Sequence, residues 1–159
     1  PNVSKNINIP VIAAGGIGSG KSMLAAMSVG ADGVQIGSRF VASEESSAHM
    51  NFKEEVVKAK EGDTMLSLKQ LTAVRLLNND FYQRVKQAEE RGDSVKDLQA
   101  LLGRGRSKKG MFEGDVSEGE LEIGQISSMI KEIIPVKKII NEIILEFNTE
   151  KQRINSISF

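Results

Sequence analysis

The chain has 159 residues, 40% of them hydrophobic and 26% charged, with 21 basic and 21 acidic side chains that cancel. A chain of this size and balance can bury a core of its own and has no general pull toward nucleic acid or anionic membrane. With no Cys and one His, it excludes disulfides, thiol nucleophiles, Cys-ligated zinc, thiolate-held iron–sulfur clusters and histidine-rich metal sites.

No apolar run reaches the roughly eighteen residues of a membrane span, and the opening PNVSKNINIP has no signal-peptide design, so a cytoplasmic location is expected. The chain begins at Pro1 and meets a strand pattern almost at once, which leads to the expectation that it opens inside a larger fold. The run Ile9 to Ala14 is short, apolar and closed by Gly15 and Gly16, as a buried parallel strand would be. A helix is expected from Ser19, with Ser19 or Ser22 as cap, an apolar face of Met23, Leu24, Ala26 and Met27, and Gly30 as left-handed terminator. A second strand, Gly33 to Ile36, ends in Gly37, which completes the pattern of consecutive β/α units.

Further on, Ser43 can cap a turn whose first residues are Glu44 and Glu45. Asn51 to Lys60 reads as a helix with Phe52, Val56, Val57 and Ala59 inward and Glu54 facing Lys58. A short strand is expected at Thr64 to Leu68, then helices at Asp80 to Glu90 and at Val95 to Leu102 between Ser94 and Gly103. A loop follows that places Arg104, Arg106, Lys108 and Lys109 before Glu113, Asp115, Glu118, Glu120 and Glu122. Ile126, Met129, Ile130 and Ile133 recur at helical spacing, and Pro135 opens a last helix with Ile139, Ile140, Ile143, Ile144 and Phe147. The polar tail from Thr149 is expected to fray.

Gly15 to Ser22, GGIGSGKS, fits the phosphate-loop pattern, in which backbone N–H groups cradle a nucleotide, Lys21 reaches its phosphates and Ser22 holds magnesium. Against an ATP or GTP hydrolase stand the absence of a second apolar strand ending in Asp and the shortness of the helix. The competing reading uses both glycine loops, Gly15 and Gly16 after one strand, Gly37 and Ser38 after the next. At the C-terminal ends of neighbouring strands of a (β/α)₈ barrel, such loops make a phosphate site. Asp32, ahead of its strand, then lies at the opposite, stability-bearing end.

The run IPVIAAGGIGSGKSMLAAMSVGADGVQIGSRFVASEES resembles the flavin phosphate region of the nitronate monooxygenases, formerly 2-nitropropane dioxygenases, and of their sister group, the FMN-type enoyl-acyl-carrier-protein reductases. The likeness continues through AHMNFKEEVVKAKEGDT and, more loosely, GRGRSKKGMFEGDVSEGELEIGQISSMI. It implies an α/β fold, the C-terminal portion of a (β/α)₈ TIM barrel followed by a mostly helical segment. It also implies FMN as cofactor, held by Gly15, Gly16, Gln35, Ile36, Gly37 and Ser38, mainly at its phosphate; Ser38 stands where many relatives carry Thr. The reaction implied is oxidation of an alkyl nitronate by O2 without metal, or, in the sister group, NAD(P)H-dependent reduction of an enoyl thioester. The stretch ESSAHMNFKEEVVKAKEGDT leans toward the reductases. A complete barrel needs about 200 residues or more, and the family's glycine-flanked His motif has no counterpart here, so no catalytic residue is expected in this chain.

The expected organisation is 1–50 as the last β/α units, 51–110 as a helical substrate-side segment, 111–148 as a loop and helices packing on the barrel, and 149–159 as a polar tail. The expected partners are a small-molecule substrate, O2 or NAD(P)H, and the missing N-terminal half or a second copy, without nucleic acid or membrane. An open half-barrel exposes unpaired strand edges, and a noncatalytic fragment is the rival reading. His49 reads as a capping residue, with no triad built from Ser46 and Ser47. Arg39 follows Ser38 at the rim of the phosphate site and could pair with it, but alternation points it away from Ser38, and a pairing with Glu44 or Glu45 is an equal reading. The basic cluster reads as a loop neutralised by its acidic neighbours, since such exposed pairs contribute little else.

Overall fold

The structure, a computed structural model, describes residues 1–158. A short helix, α1 (Asn2–Asn6), precedes the first strand, β1 (Ile12–Ala14). The strand starts three residues later than the apolar run suggests. Pro10 has no N–H to give a ladder, and Ile9 is exposed. Helix α2 (Gly20–Ser28) leads to β2 (Gly33–Gln35), parallel to β1 with Ile12, Ala13 and Ala14 opposite Gly33, Val34 and Gln35. The ends of this pair are clasped just before the strands begin. Val11 N–H donates to the Asp32 carboxylate (2.8 Å) and Val11 C=O accepts from Asp32 N–H (2.8 Å). Asp32 is therefore a structural residue at the end remote from the glycine loops. No third strand joins this pair among the described residues, so both of its edges are open.

After β2 the chain makes a single helical turn, α3 (Ser38–Val41), where the sequence suggested only a loop. The expected cap at Ser43 is replaced by a buried bridge. Ser43 pairs with Ile134, and its hydroxyl donates to Phe40 C=O (2.8 Å). Helix α4 (Met50–Lys58) is capped by His49 and buries Phe52 and Val56; Lys58 pairs with Glu55 at 2.9 Å, not with Glu54. Lys53, which sequence reading left unremarked, is only 3% exposed and donates to the carbonyl oxygens of Ser43 (2.6 Å), Ser46 (2.9 Å) and Glu44 (3.3 Å).

An antiparallel pair follows, β3 (Thr64–Ser67) and β4 (Val74–Leu77). Only β3 was expected, because VRLL is just four residues long and alternates only over Val74, Arg75 and Leu76. Helices α5 (Asp80–Arg91) and α6 (Val95–Leu102) match their sequence signals closely, with Asn79 and Ser94 as caps and Gly92 and Gly103 at positive φ as stops. The basic–acidic loop is pinned at Arg106, which donates to the carbonyl oxygens of Leu101 (3.1 Å), Leu102 (3.1 Å) and Glu118 (2.9 Å) and lies 4.7 Å from the centre of the Phe81 ring. Lys108 pairs with Glu113 and Lys109 with Asp115, as the neutralised-loop reading requires.

The isoleucine stripe at 126–133 is one short 3₁₀ segment, Gln125–Met129, and not an α-helix. Ile126, Ile130 and Ile133 all pack with the core around Phe52, Val56 and Leu121, while Met129 is exposed and the next residue, Ile134, joins Ile139 and Ile143. Helix α7 (Val136–Asn155) begins just after Pro135, which has no N–H to donate. Its Val136 N–H donates to the Glu45 carboxylate (2.8 Å). It also runs past Thr149, where fraying was expected. Thr149 hydroxyl donates to Leu145 C=O, and Glu150 is held by Arg153 and Lys21. No helix of the described residues is long and apolar enough to cross a membrane.

Candidate functional site

The two glycine loops leave β1 and β2 at the same end and face each other across a cavity of about 260 Å³ lined by Gly15, Gly16, Ile17, Gln35, Gly37, Ser38, Gly124 and Ile126. Five of the six residues expected at the cofactor are thus brought together. The sixth, Ile36, does not line the cavity; it packs against Ile134, Ile139 and Ile143. Alternation along the strand explains this, since Ile36 follows a cavity-facing Gln35. Gly124 and Ile126 were missed. They lie almost ninety residues beyond Ser38, and the GELEIGQ stretch in which they stand carried no local signal beyond its loose family likeness.

Gly15 (φ +85°) and Gly16 (φ +72°) occupy the left-handed region in succession, where any other residue is strained. Gly37 is a different case. Its φ of −104° and ψ of −71° lie on the negative side, at the edge of the right-handed helical region rather than in the left-handed one, and a Cβ built there meets nothing within 4 Å. Neither the backbone nor the packing of this chain requires glycine at position 37. Among the described residues, the N–H groups of Gly15, Gly16, Gly37 and Ser38 donate to nothing within the chain. The Ser38 hydroxyl accepts from Gly124 N–H (3.0 Å), which fixes its oxygen and leaves its own hydrogen to donate into the cavity. No Lys or Arg lines this space. An anion here would be held by oriented backbone dipoles and one hydroxyl, the chemistry of phosphate cradles.

The literal phosphate-loop motif is used otherwise. Gly20 and Lys21 N–H both point at the Glu146 carboxylate of α7 (2.6 and 3.4 Å), so the start of α2 already holds an anion of its own chain. Lys21 Nζ lies 3.4 Å from Glu150, and Ser22 forms a reciprocal capping box with Ser19. The loop's backbone N–H groups and Lys21 are engaged by α7 and Ser22 by its own helix cap, which speaks against the hydrolase reading.

The remaining candidates are structural. His49 Nδ1 accepts from Asn51 N–H (3.2 Å) as the cap of α4, and its ring lies against Gly114, where a Cβ would collide with it. Arg39 does turn away from the cavity, but toward Glu132 C=O (3.4 Å) and not toward Glu44 or Glu45. Partial burial lowers its pKa, which the nearby Glu142 and Glu132 partly offset. No cluster of three metal-ligating side chains is present among the described residues.

Comparison with known proteins agrees with this geometry. The family model for nitronate monooxygenase matches residues 1–146. A probable nitronate monooxygenase of Bacillus subtilis is 31% identical over 147 residues, covering 92% of this chain and 42% of the relative. One from Staphylococcus saprophyticus is 32% identical over 135 residues, covering 82% of this chain and 37% of the relative. Among solved structures, FabK from Thermotoga maritima superposes with a TM-score of 0.89 at 39% identity, over 97% of this chain and 49% of that one. Nitroalkane oxidase from Streptomyces ansochromogenes superposes with a TM-score of 0.76 at 26% identity, over 96% and 43%. The chain thus spans less than half the length of these relatives. With the family match running through both glycine loops and the Gly124 segment that closes the cavity, the chain belongs to the nitronate monooxygenase family, a family of flavin-dependent oxidoreductases.

Proposed function

We propose that these residues form the last β/α units of a (β/α)₈ barrel whose glycine loops hold the phosphate of FMN, as part of an enzyme that oxidises alkyl nitronates with O2. The observation that supports this best is Gly37, a glycine at the mouth of the cavity that neither packing nor a positive φ requires and that leaves the backbone bare toward a ligand. The cavity fits a phosphate group: Gly15, Gly16 and Gly37 keep side chains away from its oxygens, and the free N–H groups with the Ser38 hydroxyl supply donors without a competing carboxylate. FMN, when bound, supplies the two-electron oxidation that no side chain of this chain can perform. The role of this chain is to anchor the phosphate end and so fix where the flavin ring lies. The acid–base residue that the family resemblance implies belongs to a segment outside these residues. The open edges of β1 and β2 are covered by the remaining barrel strands or by a second copy.

The test is a sizing column monitored at visible wavelength, with FMN or riboflavin added to the chain beforehand. FMN is expected to co-elute with protein at a mass above that of one chain, and riboflavin, which lacks the phosphate, to be lost. Gly37→Asp adds a carboxylate beside the phosphate without backbone strain, and FMN affinity is expected to drop about tenfold or more. Flavin binding that ignores both the phosphate and this substitution would sink the phosphate-site assignment.

A second reading, NAD(P)H-dependent reduction of an enoyl thioester, is supported by the 39% identity to FabK. Nitronate turnover by the parent protein without NADH favours the first reading, and NADH consumption dependent on an enoyl thioester favours the second.

A further inference from the structure

Beyond α6 the chain places Ser107 against the segment 120–122, which extends the β3–β4 pair. Leu77 N–H donates to Leu121 C=O (2.9 Å), Ile123 N–H donates to Arg75 C=O (3.1 Å), and Glu122 bridges Leu76. On this extended backbone Glu120 and Glu122 fall on one face. Both reach the same hydroxyl: Ser107 Oγ lies 2.5 Å from Glu120 Oε2 and 2.8 Å from Glu122 Oε1. A hydroxyl has one hydrogen, so it can donate to one carboxylate only. The other oxygen needs a hydrogen of its own at this distance, or the lone pairs of the two groups repel.

Glu120 is the member suited to carry it. It is 5% exposed, whereas Glu122 is half-buried. Burial pushes its carboxyl up from the ordinary glutamate value, the Ser107 contact pulls it down, Glu122 raises it and Arg106 lowers it, with the net direction upward. The surrounding cations are engaged elsewhere. Arg106 is spread over the carbonyls of Leu101, Leu102 and Glu118, Arg75 of β4 donates to Thr64 C=O (2.8 Å), and Lys108 and Lys109 face Glu113 and Asp115.

We propose that Glu120, Ser107 and Glu122 share one retained proton and act as a pH-sensitive clamp, fastening the loop around Arg106 to the strand that runs on into Gly124. The protonated Glu120 carboxyl donates to Ser107 Oγ, and the Ser107 hydroxyl donates to the ionised Glu122. When Glu120 releases its proton to water, two carboxylates compete for one hydrogen and the clamp opens. Because the proton is held more tightly in the folded chain than in the unfolded one, the clamp contributes fully below the ordinary glutamate value. That contribution is lost as pH rises through the folded-state value.

The experiment is thermal unfolding of the full chain from about pH 5 to about pH 8, compared with Glu120→Gln and with Glu122→Gln. The amide introduced by Glu120→Gln keeps a permanent donor toward Ser107. The melting temperature of this variant is expected to match the parent at the acid end and exceed it at the alkaline end. Parallel pH profiles for parent and Glu120→Gln overturn the proposal. Carboxyl-carbon NMR of the unmodified chain gives a readout that needs no variant. A Glu120 resonance that titrates above the ordinary glutamate value, in step with a shift at Glu122, supports the clamp, and titration of both at ordinary values overturns it.

Discussion

Gly20→Ala is expected to destabilise the chain by about 3 kcal/mol, near the top of the usual range for overpacking. Helix α2 crosses α7 at this residue so closely that a Cβ would enter the backbone of Ile143, Glu146 and Phe147. A clash with flexible side-chain ends relaxes by rotation. One with the main chain of a 20-residue helix can be relieved only by moving one helix off the other. That movement also breaks the contact between Glu146 and the start of α2 and loosens the Ile134, Ile139 and Ile143 cluster. Denaturant unfolding should show the midpoint falling with little change in slope, and heating should show a melting point lower by roughly 6–12 °C. Gly37→Ala is the matched control, since a methyl group there meets nothing in the chain. If the two variants were equally stable, the close crossing of α2 and α7 would be wrong.

Lys53→Met should cost about 3 kcal/mol for a different reason. The ammonium group has three hydrogens, and the chain supplies three carbonyl oxygens, those of Ser43, Glu44 and Ser46. Methionine retains the apolar stem and its packing but leaves those carbonyls without that donor. The turn they belong to directly follows α3, whose first residue, Ser38, lines the cavity. The variant is therefore expected to lose FMN affinity along with stability, while Lys53→Arg, which still offers donors, recovers part of both. Equal urea midpoints for the parent and Lys53→Met would mean that the buried ammonium group is not holding the turn.

What could be read from sequence was whatever is encoded over a few residues. Helix α6 was legible to the residue because Ser94 and Gly103 mark its ends chemically, and β1–α2–β2 because glycines punctuate it. Strand β4 was invisible because it exists only as the partner of β3 and of residues 121–123. The 126–133 stripe misled because a 3₁₀ turn followed by extended backbone can also deliver isoleucines at this spacing, here Ile126, Ile130 and Ile133, to one core. GGIGSGKS was the most ambiguous, since the same letters that make a nucleotide loop also make a close helix crossing, a capping box and a surface ion pair. Which of these a Gly-Lys-Ser triplet serves depends on whether a carboxylate such as Glu146 arrives from far along the chain. The cavity was legible in five of its residues; Ala14 and Ile17 are their neighbours in the first loop, and Gly124 and Ile126 were hidden because they come from the distant segment that closes it.

The clasp between Val11 and Asp32 lies at the foot of the two parallel strands, three residues away from the loops it governs. Each strand is too short for side-chain packing alone to choose its alignment, so this pair of bonds acts as the zero mark of a ruler. A slip of one residue would raise one glycine loop by about 3.3 Å relative to the other and turn Gln35 to the opposite face. Two loops that must grip one phosphate tolerate no such offset. A carboxylate at the foot of the sheet thus sets the gauge of a binding site it never touches.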